Sequence, residues 1–237
     1  MKDYIAVIGA VNMDIWGLAN GTVIPEDSNP GSISMAPGGV GRNIARNLSK
    51  LGENVEFITV LADDAFGAVL RKDLTDNGIS VAEAITVPGG SSSSYLYVTG
   101  EDRNLYVGVC DAHIQDYLTP EVLKEKLSVL NGAKAVVLDG NLTKETIRFA
   151  IENITAPIFA DPVSETKAQK FADNLNGLFA LKPNRQEAEA LTGEKDASLA
   201  AEILAFRGVK NVFVSDGSRG MVVATEGRVF RVPCIPT

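Results

Sequence analysis

Along the chain, short apolar runs alternate with stretches in which apolar residues recur every three or four positions. The runs suit strands covered on both faces and the periodic stretches suit amphipathic helices, so the alternation predicts βα units around a largely parallel sheet. The predicted core strands are Tyr4–Gly9, Val55–Val60, Ala135–Asp139, Pro157–Ala160, Gly177–Leu181 and Asn211–Ser215. Helix punctuation is equally local. Thr119-Pro120-Glu121 offers an N-cap, a proline at the first helical position and an acidic first turn. Leu123, Leu127 and Leu130 then form one apolar stripe that ends at Gly132. Thr143 opens a second helix with Ile147, Ala150, Ile151 and Ile154 inward, and a third runs from Asp196 to Arg207 with Leu199, Ile203 and Phe206 inward. Segments 11–37 and 88–110 break the alternation with Gly, Ser, Pro and Asn. They read either as a small antiparallel β-flap or as a pair of surface hairpins. The expected architecture is one doubly wound α/β domain over 1–237, with a mostly parallel central sheet flanked by helices.

Composition narrows the class. The 237 residues are 45% hydrophobic and 22% charged, which fits a folded domain that needs no disulfide or metal staple. Thirty acidic against 22 basic residues give a net charge of −8, which excludes a general nucleic-acid binder. No apolar run approaches the ~18 residues of a membrane span, so no membrane partner is expected. Cys110 and Cys234 share no C-x-x-C spacing and His113 is the sole histidine, which argues against a zinc site. Two unpaired thiols fit a reducing compartment, and the expected location is cytoplasmic.

The candidate chemistry sits at strand ends. Pro37-Gly38-Gly39-Val40-Gly41-Arg42-Asn43 precedes a helix with Val40, Ile44, Leu48 and Leu51 on one face. Such glycines serve a tight turn or let backbone N–H groups approach a ligand. No third glycine follows at the dinucleotide spacing, and no P-loop motif occurs. Asn12 and Asp14 follow the first strand, either as a turn or as donor and acceptor for two sugar hydroxyls. Asn184 and Glu187 have capping-box spacing, and a carboxylate there also suits the water shell of a magnesium ion. Ser215-Asp216-Gly217-Ser218-Arg219-Gly220 is a β-turn or a loop beneath a nucleotide. Asp139 and Asp161 end further strands at the same predicted edge.

In their order and intervals, Asn12-x-Asp14, the Pro37–Ala45 signature, Asn184-x-x-Glu187 and Gly217-x-x-Gly220 resemble the ribokinase-like (PfkB) carbohydrate kinase family. Within it, Asp27-Ser28-Asn29-Pro30-Gly31, Ser93-Ser94-Tyr95-Leu96, Asp161-Pro162-Val163-Ser164 and Leu181-Lys182-Pro183-Asn184-Arg185 look like the pseudouridine kinase branch. The resemblance implies transfer of the ATP γ-phosphate to the 5′-hydroxyl of a C-linked nucleoside, with Mg2+ and a stimulating monovalent cation such as K+. Ribose or adenosine as substrate, or a non-catalytic nucleoside-binding remnant, are the alternatives. Carried over by position, Asn12, Asp14, Ser28, Asn29, Gly38, Gly39, Asn43, Ser94 and Asp139 would surround the sugar. Asn184, Ser215, Asp216, Gly217, Ser218 and Gly220 would line the nucleotide, with Glu187 reaching the metal through water. The flap would act as a lid and pair two subunits. One family element has no counterpart. The catalytic Asp belongs to a Thr-Gly-Ala-Gly-Asp segment that these residues do not contain. The resemblance therefore places it beyond Thr237, implies a C-terminally truncated domain, and leads one to expect little or no activity from this chain alone.

Overall fold

The computed structural model describes residues 3–235. Its first strand, β1 (Ile5–Ile8), leads into β2 (Asn12–Ala19) and β3 (Gly31–Gly38), then helix α1 (Val40–Lys50). Next come β4 (Val55–Ile58), β5 (Val60–Ala62), α2 (Ala65–Asp76), β6 (Ile79–Ser80) and β7 (Ile85–Val87). Strands β8 (Ser94–Thr99) and β9 (Leu105–Asp111) precede α3 (Pro120–Glu125), α4 (Leu127–Gly132) and β10 (Ala135–Asp139). The remainder alternates: α5 (Lys144–Asn153), β11 (Ile158–Asp161), α6 (Glu165–Ala168), β12 (Ala180–Leu181), α7 (Arg185–Thr192), α8 (Ala197–Phe206) and β13 (Asn211–Ser215). An antiparallel hairpin, β14 (Met221–Thr225) and β15 (Arg228–Val232), closes the sheet.

The main sheet has the order β15-β14-β13-β12-β11-β10-β1-β4-β6 and is parallel from β13 through β6. The chain therefore builds one side of β1 with β4 and β6, then returns to build the other side from β10. A strand order that reverses at β1 leaves a crevice at the carboxyl ends of β1 and β10, where open α/β sheets bind ligands. Strands from the two Gly/Ser-rich segments form a separate four-stranded sheet, β3-β2-β8-β9. Its central β2–β8 pair is parallel, so the flap is mixed and not wholly antiparallel.

Alternation along the strands sorts the core into two faces. Ala6, Ile8, Val136, Leu138, Val212 and Val214 point to the layer of α3 to α8, while Val7, Val55 and Phe57 pack under α1 and α2. The second face is covered over only part of its width. Phe159, Ala180, Phe213 and Met221, with Ile44 and Leu48, line an apolar groove of about 340 Å3. The expectation that every core strand is covered on both faces holds for β1 and β4 but not for β11 and β13.

Three local expectations are corrected. The helix opened by Thr119 breaks at Lys126 into α3 and α4, although Leu123 and Leu130 are both fully buried. In α8 the buried side is Ala197, Ala200, Ala201 and Leu204, whereas Leu199 is 50% and Phe206 92% exposed. The helix is so rich in apolar residues that periodicity does not single out a face, and the small alanines let it lie close to β13 and β14. In α1 the buried residues are Gly41, Arg42 and Ala45, while Leu51 is exposed. Arg42 turns the helix this way by a bidentate bond to Asp73 of α2, at 2.6–2.9 Å, with both side chains largely covered.

Candidate active site

The glycine signature is a cradle for three polar side chains at the reversal point. A Cβ on Gly38 would stand 2.1 Å from Asp14 Oδ2, and one on Gly39 would stand 2.8 Å from Asn12 Oδ1 and 2.6 Å from the Ala10 carbonyl. A Cβ on Gly41 would lie 2.9 Å from Asp139 Oδ2, and one on Gly9 only 2.4 Å. Only Gly39 needs the left-handed region, with φ of 97°. Asn12 Nδ2 donates to Asp14 Oδ1 at 2.5 Å, so the two side chains act as a unit with a free donor and acceptor edge. Burial pushes the Asp14 carboxyl up, and the bonds and charges from Asn12 and Arg42 pull it back only in part. Asn43 is exposed on the first turn of α1, where its Oδ1 accepts from Arg42.

Asp139 takes a different place from the sugar contact expected for it. It is fully buried, and its Oδ2 accepts from the N–H groups of Ala10 and Gly41 while Oδ1 accepts from that of Asn141, all at 2.9 Å. Burial raises its pKa, against which the three N–H groups work. This carboxylate ties the end of β1 to the start of α1 and so positions the cradle.

Strand register separates the other lid candidates. Asp14 lies opposite Tyr95, and Ser94 lies opposite Met13, which is in the core. Ser94 therefore stands on the face away from Asp14, and Tyr95 is the residue of β8 that shares the Asp14 face. The period-two alternation of a strand was the available signal. Ser28 and Asn29 sit in the loop at the far end of β2, about 23 Å from Asn12 at ~3.3 Å per residue. There Asn29 bonds to the backbone of Ile24 and Asp27 and is exposed, so neither residue joins the cradle.

The second half of the site lies at the ends of β12 and β13. These strands are three and four places from β1, about 14–19 Å across at the usual strand spacing. Asn184 and Glu187 form a complete capping box on α7, with bonds of 2.8 and 2.9 Å. Asn184 also bridges to Ser215, which brings α7 beside the Ser215–Gly220 loop. Asn184, Arg185, Gln186 and residues 215–219 line a cavity of about 440 Å3, and Gly220 stands outside this lining. Asp216 is buried beneath this loop and does not line it as a free acceptor. It holds Arg219 at 2.8 Å and Arg231 at 2.9 Å, with Arg185 at 3.8 Å. Burial would raise the Asp216 carboxyl, but the two bonded guanidinium groups outweigh it and hold it below the usual range. Gly220 is obligatory, with φ of 89° and a Cβ position 2.1 Å from the Val232 carbonyl. Between the two halves, Asp161 pairs with Lys182 at 3.1 Å and Val163 takes a φ of 73° in a tight turn closed by Ser164 N–H to Pro162 O. Val163 is the sole β-branched residue at positive φ among the described residues, and such strain collects at functional edges.

The family profile "pfkB family carbohydrate kinase" matches residues 2–237. The chain belongs to the PfkB family of carbohydrate kinases. It is 35% identical over 226 residues to the pseudouridine kinase of Escherichia coli K12, covering 93% of this chain and 72% of that protein. It is also 35% identical over 219 residues to the uncharacterized sugar kinase YeiI of the same organism, covering 90% of this chain and 60% of the relative. The solved Arabidopsis thaliana ribokinase with ribose and ATP superposes with a TM-score of 0.82 at 21% identity, over 100% of this chain and 79% of that one. That likeness fixes a ribokinase-like α/β fold. PfkB kinases are ATP-dependent phosphotransferases with small sugar or nucleoside acceptors, and the two halves described above suit such a pair of ligands.

Within this PfkB chain, the residues fit a metal held mainly by phosphate and water. No three His, Cys, Asp or Glu side chains converge as a metal cage among the described residues. Magnesium keeps several waters and needs one or two carboxylates beside substrate phosphates. Glu187 offers one carboxylate: Oε2 accepts from Asn184 N–H, and Oε1 makes no hydrogen bond among the described residues. Burial and the nearby Asp161 and Glu165 charges raise its pKa, which a bound cation would reverse. His113 is exposed and paired with Asp111 at 3.0 Å, away from this chemistry. The two cysteines are free and exposed, and no helix of the described residues is long and apolar enough to cross a membrane.

Proposed function

We propose that this chain is the substrate-binding part of a pseudouridine kinase, in which ATP phosphorylates the 5′-hydroxyl of the nucleoside. The observation that carries the reading is the Asn12–Asp14 pair seated on Gly38 and Gly39, one crevice away from the Asn184–Ser215 loop. The pair offers donor and acceptor to adjacent ribose hydroxyls, and Asn43 with the Gly39 turn approaches the sugar from the helix start. Asn184, Ser215, Gly217, Ser218 and Gly220 line the nucleotide, with Arg185 and Arg219 supplying charge for its phosphates. Glu187 would hold the water shell of Mg2+, which would supply charge neutralisation at the phosphates, and a monovalent cation such as K+ would be a further activator. The 35% identity to the Escherichia coli pseudouridine kinase supports a carbohydrate or nucleoside kinase, and pseudouridine is the acceptor proposed within that class.

The 237 residues form a single domain with a lid, located in the cytoplasm. The lid pairs two subunits through its exposed apolar side chains, among them Ile33, Met35, Leu96, Val107 and Val109. Because the sequence contains no Gly-Ala-Gly-Asp, it lacks the acidic base and the adjoining anion site that such a segment supplies. The chain by itself binds both ligands and turns over weakly. Calorimetry with pseudouridine, ribose, adenosine and ATP, beside an ADP-release assay, tests this. Tighter binding of ribose or adenosine than of pseudouridine rejects the substrate, and brisk pseudouridine-dependent ADP release rejects the weak turnover.

A further inference from the structure

The lid face that carries Asp14 continues into a ladder of aromatic rings. Asp14 lies opposite Tyr95, and two residues further Trp16 lies opposite Tyr97, so all four side chains leave the same face. Trp16 and Tyr97 stack at 6.2 Å and 13°, and Tyr97 and Tyr95 at 5.2 Å and 24°. Gly108 of β9 keeps room for the ladder, since a Cβ there would lie 2.7 Å from the Tyr95 hydroxyl and 3.1 Å from its ring. Trp16 Nε1 donates to Thr99 Oγ1 at 2.8 Å, which fixes the indole. The hydroxyls of Tyr95 and Tyr97 make no hydrogen bond to any described residue. None of the three rings belongs to either core cluster, and each is half-exposed.

An ordered aromatic surface that packs against nothing, one residue pair from a ribose-binding carboxylate, has the properties of a stacking platform. We propose that Tyr95 and Tyr97, backed by Trp16, receive the flat heterocyclic base of a ribonucleoside while Asn12 and Asp14 hold its sugar. This rests on the nucleoside reading above and adds the residues that select a nucleoside over a free pentose. A base has a π-face and a polar edge for the two open phenol hydroxyls, and a pentose has neither. Cys110, opposite Tyr95, leaves the same face of the lid.

Trp16 is the sole tryptophan in the chain, so its emission reports on the platform. The 237-residue chain is titrated with pseudouridine and with D-ribose by calorimetry and fluorescence. The expected result is about tenfold tighter binding of pseudouridine, the scale of one base–aromatic stack, with Trp16 emission changing for pseudouridine alone. Tyr97→Ala and Tyr95→Leu should each bring pseudouridine affinity down towards that of ribose and leave ribose affinity as it was, which also shows that the lid is folded. Tyr95→Phe and Tyr97→Phe should keep most of the preference. Equal binding of both ligands by the unmodified chain overturns the platform while leaving a sugar site. Emission that follows protein concentration and not ligand overturns it in favour of subunit pairing. Failure of both ligands to bind rejects the nucleoside reading itself, and the platform with it.

Discussion

Replacing Asp139 separates a clamp from a ligand contact. Its carboxylate accepts three backbone N–H groups, and those of Ala10 and Gly41 are buried with it. Asp139→Ala leaves these donors without partners at about 1–3 kcal/mol each. Relief of the burial cost that raises the carboxyl pKa offsets part of this. A net loss of about 3 kcal/mol follows, and for a chain of this length ~2–4 °C per kcal/mol makes it a fall of about 6–12 °C in Tm. Asp139→Asn keeps an oxygen for Ala10 and Gly41 but turns its NH2 towards the Asn141 N–H, so about 1–2 kcal/mol is expected. Scanning calorimetry of the two variants, with pseudouridine titrations below both melting temperatures, reads the order. Melting points unchanged from the parent, combined with a hundredfold loss of pseudouridine affinity in both variants, would make the carboxylate a direct sugar contact and refute the clamp.

Gly38→Ala forces a methyl to within 2.1 Å of Asp14 Oδ2; rotating Asp14 away breaks its bond to Asn12, so titration should show about a hundredfold weaker ribose binding with under ~1 kcal/mol of stability lost. Gly39→Ala, at φ of 97° and against the Ala10 carbonyl, should lower stability as well, and a wild-type melting curve would contradict the close packing. Asp216 has a folded pKa held below its unfolded value. Its contribution to stability is therefore present above about pH 4 and is lost as pH falls through the folded value. Urea midpoints should show the parent's advantage over Asp216→Asn at pH 7 shrinking below about pH 4, and a constant gap would refute the arginine clasp. Leu138→Ala, in the fully buried face, should cost about 2–5 kcal/mol. Phe213→Ala should cost less despite the larger side chain, because Phe213 lines the open groove; equal losses by denaturant titration would contradict a bare second face.

Local chemistry in the sequence was enough for most of the parallel core strands and for several helix caps, but not for α2, β6, β7 or β15. Apolar runs found β10 and β13 to the residue, and the Thr143 and Asn184 caps are present as written. A cap involves neighbours within three residues, so it is legible without knowing the fold. Which face of α1 or α8 is buried, which of Ser94 and Tyr95 looks at Asp14, and how far Asn29 stands from Asn12 are relations between distant segments. Strand register settles the second, the length of β2 the third, and a buried Arg42–Asp73 bond the α1 face. Asp139 is the sharpest case. The family resemblance alone makes it a sugar contact, and the convergence of Gly9, Ala10 and Gly41 on it makes it a clamp. The sequence by itself determined which groups exist at the carboxyl edge of the sheet. The tertiary structure decided which of them face the crevice and which hold it open, because burial and the supply of backbone N–H groups are properties of the folded neighbourhood and not of the residue.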